Sequence, residues 1–208
     1  MRPRDPAKIE KIRRCALEML VLDGFDVFSM QKLAKAAGVS PATLYIYYAD
    51  KEDLIFQLWK EQVTAWSDMQ LGGFDPEAPF EVELRRQWML RVAYFQAHPL
   101  EWQFIQQVMH SPLHEKYQGA MPTAVSEQVT TRVLRAIRQG ELTDFGLGAE
   151  AIQERFPRDL YWSLAYGPLY AMLRWVPDRT RPLEASPARV DLDLIGKAFA
   201  CVIKGLKP

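Results

Sequence analysis

The chain has 208 residues, enough for one or two small domains with a real core. Lys and Arg number 26, and so do Asp and Glu, so a polycation that coats nucleic acid or membrane over its whole surface is excluded. Two cysteines, Cys15 and Cys201, are too few for a disulfide scaffold; both fall in helical patterns and predict buried free thiols of a reducing cytoplasm.

No apolar run reaches the length of a membrane span, and the start MRPRDPAKIEK lacks the apolar centre of a signal peptide, so no membrane partner is expected. The charge is unevenly spread. Residues 1–51 hold nine Lys or Arg and six Asp or Glu, a net +3, against −3 for the rest. A mildly basic head on a mildly acidic body suits a protein whose head alone meets a polyanion.

Pro6 to Asp23 predicts an amphipathic helix, with Ile9, Ile12, Ala16, Met19 and Leu20 at helical spacing and Gly24 at its end. Phe25 and Phe28 fill the gap toward the next helix. The stretch SMQKLAKAAGVSPATLYIYYADK, residues 29–51, then reads as two short helices joined by a tight turn. Ser29 caps the first, and Leu33 and Ala37 give it an apolar stripe. Gly38 sits where a left-handed residue ends a helix. Ser40 caps the second helix and Pro41 takes its first position, where a missing N–H costs nothing. Leu44 and Tyr48 face inward, leaving Ala42, Thr43, Tyr45 and Ile46 pointing away. This is a helix-turn-helix pattern, whose second helix can enter a DNA major groove.

The candidate DNA contacts are Ser29, Gln31, Ser40, Pro41, Ala42, Thr43, Tyr45, Tyr47 and Lys51. Small and hydroxyl side chains at Ser40, Ala42 and Thr43 let the helix start approach a duplex. Tyr45 and Tyr47 can reach phosphate oxygens, and Lys51 can neutralise one. Ala42 and Ile46 offer no hydrogen bonds, so thymine-methyl contacts and groove shape carry part of the readout.

The segments LEMLVLDGFDVFSMQKLA and LAKAAGVSPATLYIYYADKEDL resemble the DNA-binding domain of the TetR/AcrR family of bacterial helix-turn-helix transcriptional regulators. The resemblance covers roughly the first sixty residues; the later chain is similar to the family in helix layout alone. It implies a cytoplasmic repressor, a homodimer, released from a palindromic operator by a small molecule. It also implies that an N-terminal arm such as the one carrying Arg2 and Arg4 touches DNA, a solvated tail being the alternative.

Asp50 and Lys51 open a long helix through about Met69, with Asp50 at the N-cap and Asp53 at the capping-box position. By resemblance this helix links the DNA head to the body. The turn LGGFDPEAP is the best boundary, which divides the chain into a helix-turn-helix domain at 1–51, a connecting helix at 52–70 and a ligand-binding and dimerisation domain at 71–208. Helices follow over Phe80–Ala97 (Leu84, Trp88, Val92, Phe95), Leu100–Met109 and Thr123–Gln139 (Val125, Val129, Val133, Ile137), with an irregular connection over His110–Pro122. Arg158 to Val176 is apolar nearly all round, Trp175 included, and Pro168 should kink it. A proline-rich loop precedes a last helix, Val190–Leu206. Nothing alternates like a strand. The fold class is all-α: a three-helix DNA-binding domain plus a helical ligand-binding and dimerisation domain.

The last two helices carry more apolar surface than one packing layer needs. Leu169, Leu173, Leu192, Ile195, Phe199 and Val202 are expected to face a second copy in a four-helix interface, an ordinary core being the alternative. A dimer is preferred because one recognition helix reads too few base pairs. The middle helices are rich in aromatics and broken by prolines, which leaves room for a mainly apolar pocket. Its candidate lining is Trp88, Arg91, Phe95, His98, Trp102, Gln106, Met109, His110, Trp162 and Tyr166, again with core as the alternative. The effector is expected to be apolar or aromatic rather than a sugar or nucleotide.

No Gly-rich phosphate loop, CxxC, HExxH or serine elbow occurs, so no cofactor and no enzyme is expected. His110 and His114, near Glu101 and Glu115, could share a metal on an unbroken helix, as in a hydrolase, but Pro112 lies between them. A DNA-binding architectural protein without a ligand is the other alternative.

Overall fold

The structure, a computed structural model of the chain, describes residues 5–120, 122–146, 155–174 and 189–208. Arg2, Arg4, Trp175 and the proline-rich loop lie outside the described residues. Ten α-helices occur among the described residues, and no strand. They form two units: residues up to Ala65 with Leu100–Met121, and Trp66–Pro99 with the residues from Pro122 onward. No helix among them is long and apolar enough to cross a membrane.

The first unit begins with α1 (Pro6–Asp23), whose N-cap Asp5 accepts from Ala7 N (3.1 Å) and Lys8 N (3.4 Å). Ile12, Ala16 and Leu20 of α1 are fully buried, as their spacing predicts. They pack on α2 (Met30–Ala37), which in turn packs on α3 (Pro41–Tyr45). Next comes α4 (Lys51–Leu71), which gives residues 51–65 to this unit and 66–71 to the other. The capping box at its start is present: Asp53 N donates to Asp50 Oδ1 and Ala49 N to Asp53 Oδ2, both at 2.8 Å.

A single cut after residue 70 does not reproduce these units, because α6 (Pro99–Met109) and α7 (Leu113–Tyr117) belong largely to the first. The Phe104 ring packs 6.4 Å from Phe25, and Gln107 Nε2 donates to Val21 O at 3.1 Å. The connection expected to be irregular thus holds a short helix, followed by a 3₁₀ turn at Gln118–Ala120.

The second unit is built from α5 (Phe80–Ala97), α8 (Ala124–Arg138), α9 (Arg155–Met172) and α10 (Leu192–Leu206). Leu84, Trp88, Val92 and Phe95 are buried along one side of α5, as predicted. Trp88 Nε1 donates to Ala165 O at 2.9 Å, and its ring meets Phe199 edge-on at 5.2 Å. The latter contact ties α5 to α10. α9 runs on through Pro168 to Met172.

Two expectations are corrected here. Leu169, Leu173, Ile195 and Phe199 do not wait for a partner chain: they are 0–3% exposed inside the second unit, where α9 and α10 pack on each other. Of the predicted stripe, Leu192 is exposed and Val202 half-buried. The cysteines are free but not buried: Cys15 is half-buried and Cys201 exposed.

Candidate nucleic-acid interface and interior cavity

Local chemistry fixes the turn between α2 and α3. Ser29 Oγ accepts from Lys32 N at 3.3 Å, which starts α2. Gly38 ends it at φ +70°, the left-handed region in which a side chain is strained, and Val39 N closes on Ala34 O at 2.9 Å. Ser40 Oγ accepts from Thr43 N at 3.2 Å, and Pro41 opens α3. Leu44 and Tyr48 anchor α3 in the core, at 0% and 4% exposure. Burial raises the Tyr48 phenol pKa, and nearby Arg13 offsets part of that rise.

The opposite face of α3 is left bare. Pro41, Ala42, Tyr45 and Ile46 are exposed, with Ile46 at 67%. Ser40 and Gln31 are exposed as well, and Ser29 and Tyr47 are half-buried. Thr43 is half-buried as well, and its hydroxyl shares a 2.9 Å hydrogen bond with Ser40 Oγ. Lys51 is half-buried and already engaged: its Nζ donates to Phe25 O at 2.6 Å. An ammonium has three donors, so a phosphate remains within its capacity. Of the predicted DNA contacts, Pro41, Ala42 and Tyr45 thus leave a small uncharged surface opposite Leu44 and Tyr48, while Lys51 serves as a structural tie.

The second unit has a different character. Arg91 is fully buried on α5. Its Nη1 donates to Gln87 O (3.0 Å) and Oε1 (2.6 Å), its Nη2 to Gln70 Oε1, and its Nε to the Tyr170 hydroxyl (3.1 Å). The guanidinium lies 4.3 Å from the Tyr166 ring centre, with Trp66 and Trp162 further out at 5.5 and 5.8 Å. Burial pushes the Tyr166 phenol up to about 12 despite Arg91, so it stays a neutral donor. A cavity with about 280 Å³ of empty space, part of it open to solvent, is lined by Tyr166 with Phe80, Leu84, Gln87, Val133 and Tyr161 among others.

The family profile described as bacterial regulatory proteins, tetR family, matches residues 12–58, which run from α1 through the helix-turn-helix into α4. The chain is 36% identical over 56 residues to the fatty acid metabolism regulator protein of Bacillus subtilis, a match covering 27% of this chain and 29% of that one. Over its full length it is similar to a TetR family transcription regulator of Marinobacter aquaeolei, with TM-score 0.66, 25% identity and coverage of 100% of this chain and 99% of the other. Residues 12–58 thus match the DNA-binding domain of TetR-family regulators, and the whole chain shares the fold of solved TetR family structures.

A further fold neighbour is FadR of Bacillus subtilis in complex with stearoyl-CoA, with TM-score 0.68, 18% identity and coverage of 95% and 99%. At that identity the likeness is one of fold. By sequence, the chain spans about a third to a half of the length of the curated relatives it matches, 29% and 48%.

In this TetR-family fold the predicted effector residues fall into two groups. Trp88, Arg91, Phe95 and Tyr166 are buried in the second unit, where Trp162 is half-buried and His98 exposed, its ring 4.9 Å from Tyr94. Trp102, Gln106, Met109 and His110 belong to the first unit; Trp102 is buried and His110 exposed. His110 follows the end of α6 and His114 lies on α7, with Pro112 between, so the two do not share a helix face. No cluster of three or more His, Cys, Asp or Glu suited to a metal occurs among the described residues.

Sequence reasoning missed Gln70, Gln87 and Arg132, all buried. A signal was available for Arg132. It stands three residues after Val129 and seven after Val125, on the apolar stripe of α8, where a charge is out of place unless it has an interior task.

Proposed function

We propose that this chain is a homodimeric transcriptional repressor that leaves a palindromic operator when a small, largely apolar organic effector binds its second unit. The observation that carries the DNA-binding part is the bare face of α3, with Pro41, Ala42, Tyr45 and Ile46 exposed on a helix whose other side is locked by Leu44 and Tyr48. A face that exposes Ile46 at 67% and holds no charge is a poor solvent surface, but it suits close approach to a groove floor with thymine methyls.

Two copies are needed for a useful operator length. The surface that fits this role is the outward side of α9 and α10. There Leu160, Leu164, Gly167 and Ala171 on one helix and Leu194, Cys201 and Gly205 on the other are exposed and uncharged. Their small residues allow close helix approach, and their periodicity is that of a stripe.

Release works through α4, whose residues belong to both units. A shift of this helix alters the spacing of two recognition helices, and a palindrome accepts spacings near one DNA turn, roughly 34 Å, or its multiples. The relatives' association with fatty acid regulation and stearoyl-CoA makes acyl compounds the first effectors to try.

Selection of bound sequences from random DNA by the full chain tests the reading. A two-fold symmetric consensus is the expected result. Binding without sequence preference would instead assign the architectural role.

A further inference from the structure

Residues 39–48, which contain α3, hold no charged side chain and no Asn, Gln or His. The paired hydrogen bonds that identify bases in the major groove come from Arg or Lys on guanine and from Asn or Gln on adenine. None of these side chains stands on α3. The two hydroxyls at its start are turned on each other: Ser40 Oγ shares a 2.9 Å hydrogen bond with Thr43 Oγ1 while it accepts from Thr43 N. Thr43 is half-buried besides. Both residues therefore serve the shape of the turn.

What α3 does present is methyl groups. Ala42 and Ile46 stand four residues apart, and the backbone keeps helical angles through Ile46 (φ −72°, ψ −29°), so the two share one row on the helix surface. Ala42 is exposed, and Ile46 is 67% exposed. The row cannot turn inward, because Leu44 and Tyr48 hold the other side of the helix in the core. With Pro41 and Tyr45 the bare patch has four residues. That is far below the roughly 20–30 residues a side of a protein interface, but one helix face fits the major groove, about 12 Å wide. There thymine shows a C5-methyl group where cytosine shows a bare C5. A methyl is the feature of a base edge that an apolar row can detect.

We propose that Ile46, with Ala42 beside it, reads the C5-methyl groups of pyrimidines, so that operator affinity follows base methylation as well as base identity. This rests on the DNA-binding reading above and names the chemical group in the operator that α3 detects. The gain is apolar, since a methyl and an isoleucine side chain leave water together. The row has no donor or acceptor of its own to leave unpaired. 5-Methylcytosine carries the same group on the same ring atom, so it partly replaces thymine.

The test uses the operator obtained by selection from random DNA, resynthesised with single thymines replaced by deoxyuridine. That change removes the methyl and keeps every hydrogen-bonding group. For at least one thymine in each half-site, affinity of the full chain should fall about fourfold per methyl, the worth of burying one such group. With a cytosine·guanine pair at that position, 5-methylcytosine should bind about fourfold more tightly than cytosine. The deoxyuridine penalty must also depend on the side chain. Ile46→Ala should shrink it below about twofold, and Ile46→Val, which keeps two methyls, should retain most of it. Ile46 is exposed, so both variants should melt with the unaltered protein. A penalty equal in the unaltered protein and in Ile46→Ala would overturn the inference, because the methyl would then act through DNA shape. So would 5-methylcytosine that binds no better than cytosine. A selected operator indifferent to deoxyuridine at every position would refute this inference alone, whereas a chain that selects no sequence would refute the DNA-binding reading beneath it.

Discussion

At Lys51 one ammonium already has a structural task, and a DNA contact is proposed for it as well. Its bond to Phe25 O joins the first residue of α4 to the turn after α1. Lys51→Ala should therefore lower thermal stability by roughly 0.5–1.5 kcal/mol, the net worth of such a bond. If Lys51 also meets a phosphate, the slope of log affinity against log salt should shrink by about one in the same variant. A lower melting temperature with an unchanged slope would leave Lys51 a purely structural residue. Tyr166 carries a pH prediction. Its pKa is raised from 10.0 to about 12, so the folded state holds a proton that the unfolded state releases. The stability due to this group is complete below pH 10 and is lost as pH rises toward 12. Tyr166→Phe should flatten the alkaline fall in stability over that window, by roughly 2–3 kcal/mol at its upper end. Equal falls in both proteins, in melting scans across pH 9–12, would show that Tyr166 ionises freely.

Among elements, what could be read in advance was set by caps and periodicity. α1 ends at Gly24 as expected, and the capping box at α4 is found as Asp50 and Asp53 imply. Periodicity also marked the buried side of α10. It could not say which surface would cover that side, since an apolar stripe is blind to whether its partner lies in the same chain. Ile195 and Phe199 are therefore core residues, and the faces proposed above to meet another copy carry Leu164 and Leu194, at 41% and 52% exposure. The same limit applies to the interior of the second unit. Tyr166 was legible as an aromatic of the body, and Gln87 stands four residues before Arg91 on one helix, whereas Gln70 matters through a pairing with Arg91 that only the folded chain creates. A pair of variants separates core from interface. Leu164→Glu with Leu194→Glu should yield a monomer by sedimentation that keeps its helical circular dichroism. Phe199→Glu should unfold the second unit, because it places a charge beside Trp88 in a closed core, at a cost of several kcal/mol. A folded, monomeric Phe199→Glu protein would restore the interface first expected of that residue.

Across the whole molecule the balanced charge conceals a division of labour, with a net +3 in residues 1–51 and −3 in the remainder. Such a distribution favours contact of a polyanion with the head rather than with the body. If an effector weakens operator binding, the operator must weaken effector binding by the same factor, and about 5–150-fold would be ordinary, or 1–3 kcal/mol. Titrating effector into free protein and into the protein–operator complex measures both directions. Unequal factors would mean that the released state is not a simple two-site coupling, for instance because the dimer itself dissociates.

The interleaving of the two units has a consequence for swapping parts between regulators. The chain passes from one unit to the other after Ala65, back after Pro99 and across again after Met121. Phe104 and Val108, both fully buried, belong to the DNA-binding unit although they follow it by some fifty residues. The head is therefore not a cassette. A graft that takes residues 1–70 alone leaves behind the residues that cover Phe25 and Val21, and the recipient must supply matching ones. Changes of operator preference that keep the fold must be confined to the bare side of α3, where Ala42, Tyr45 and Ile46 can vary without disturbing either core.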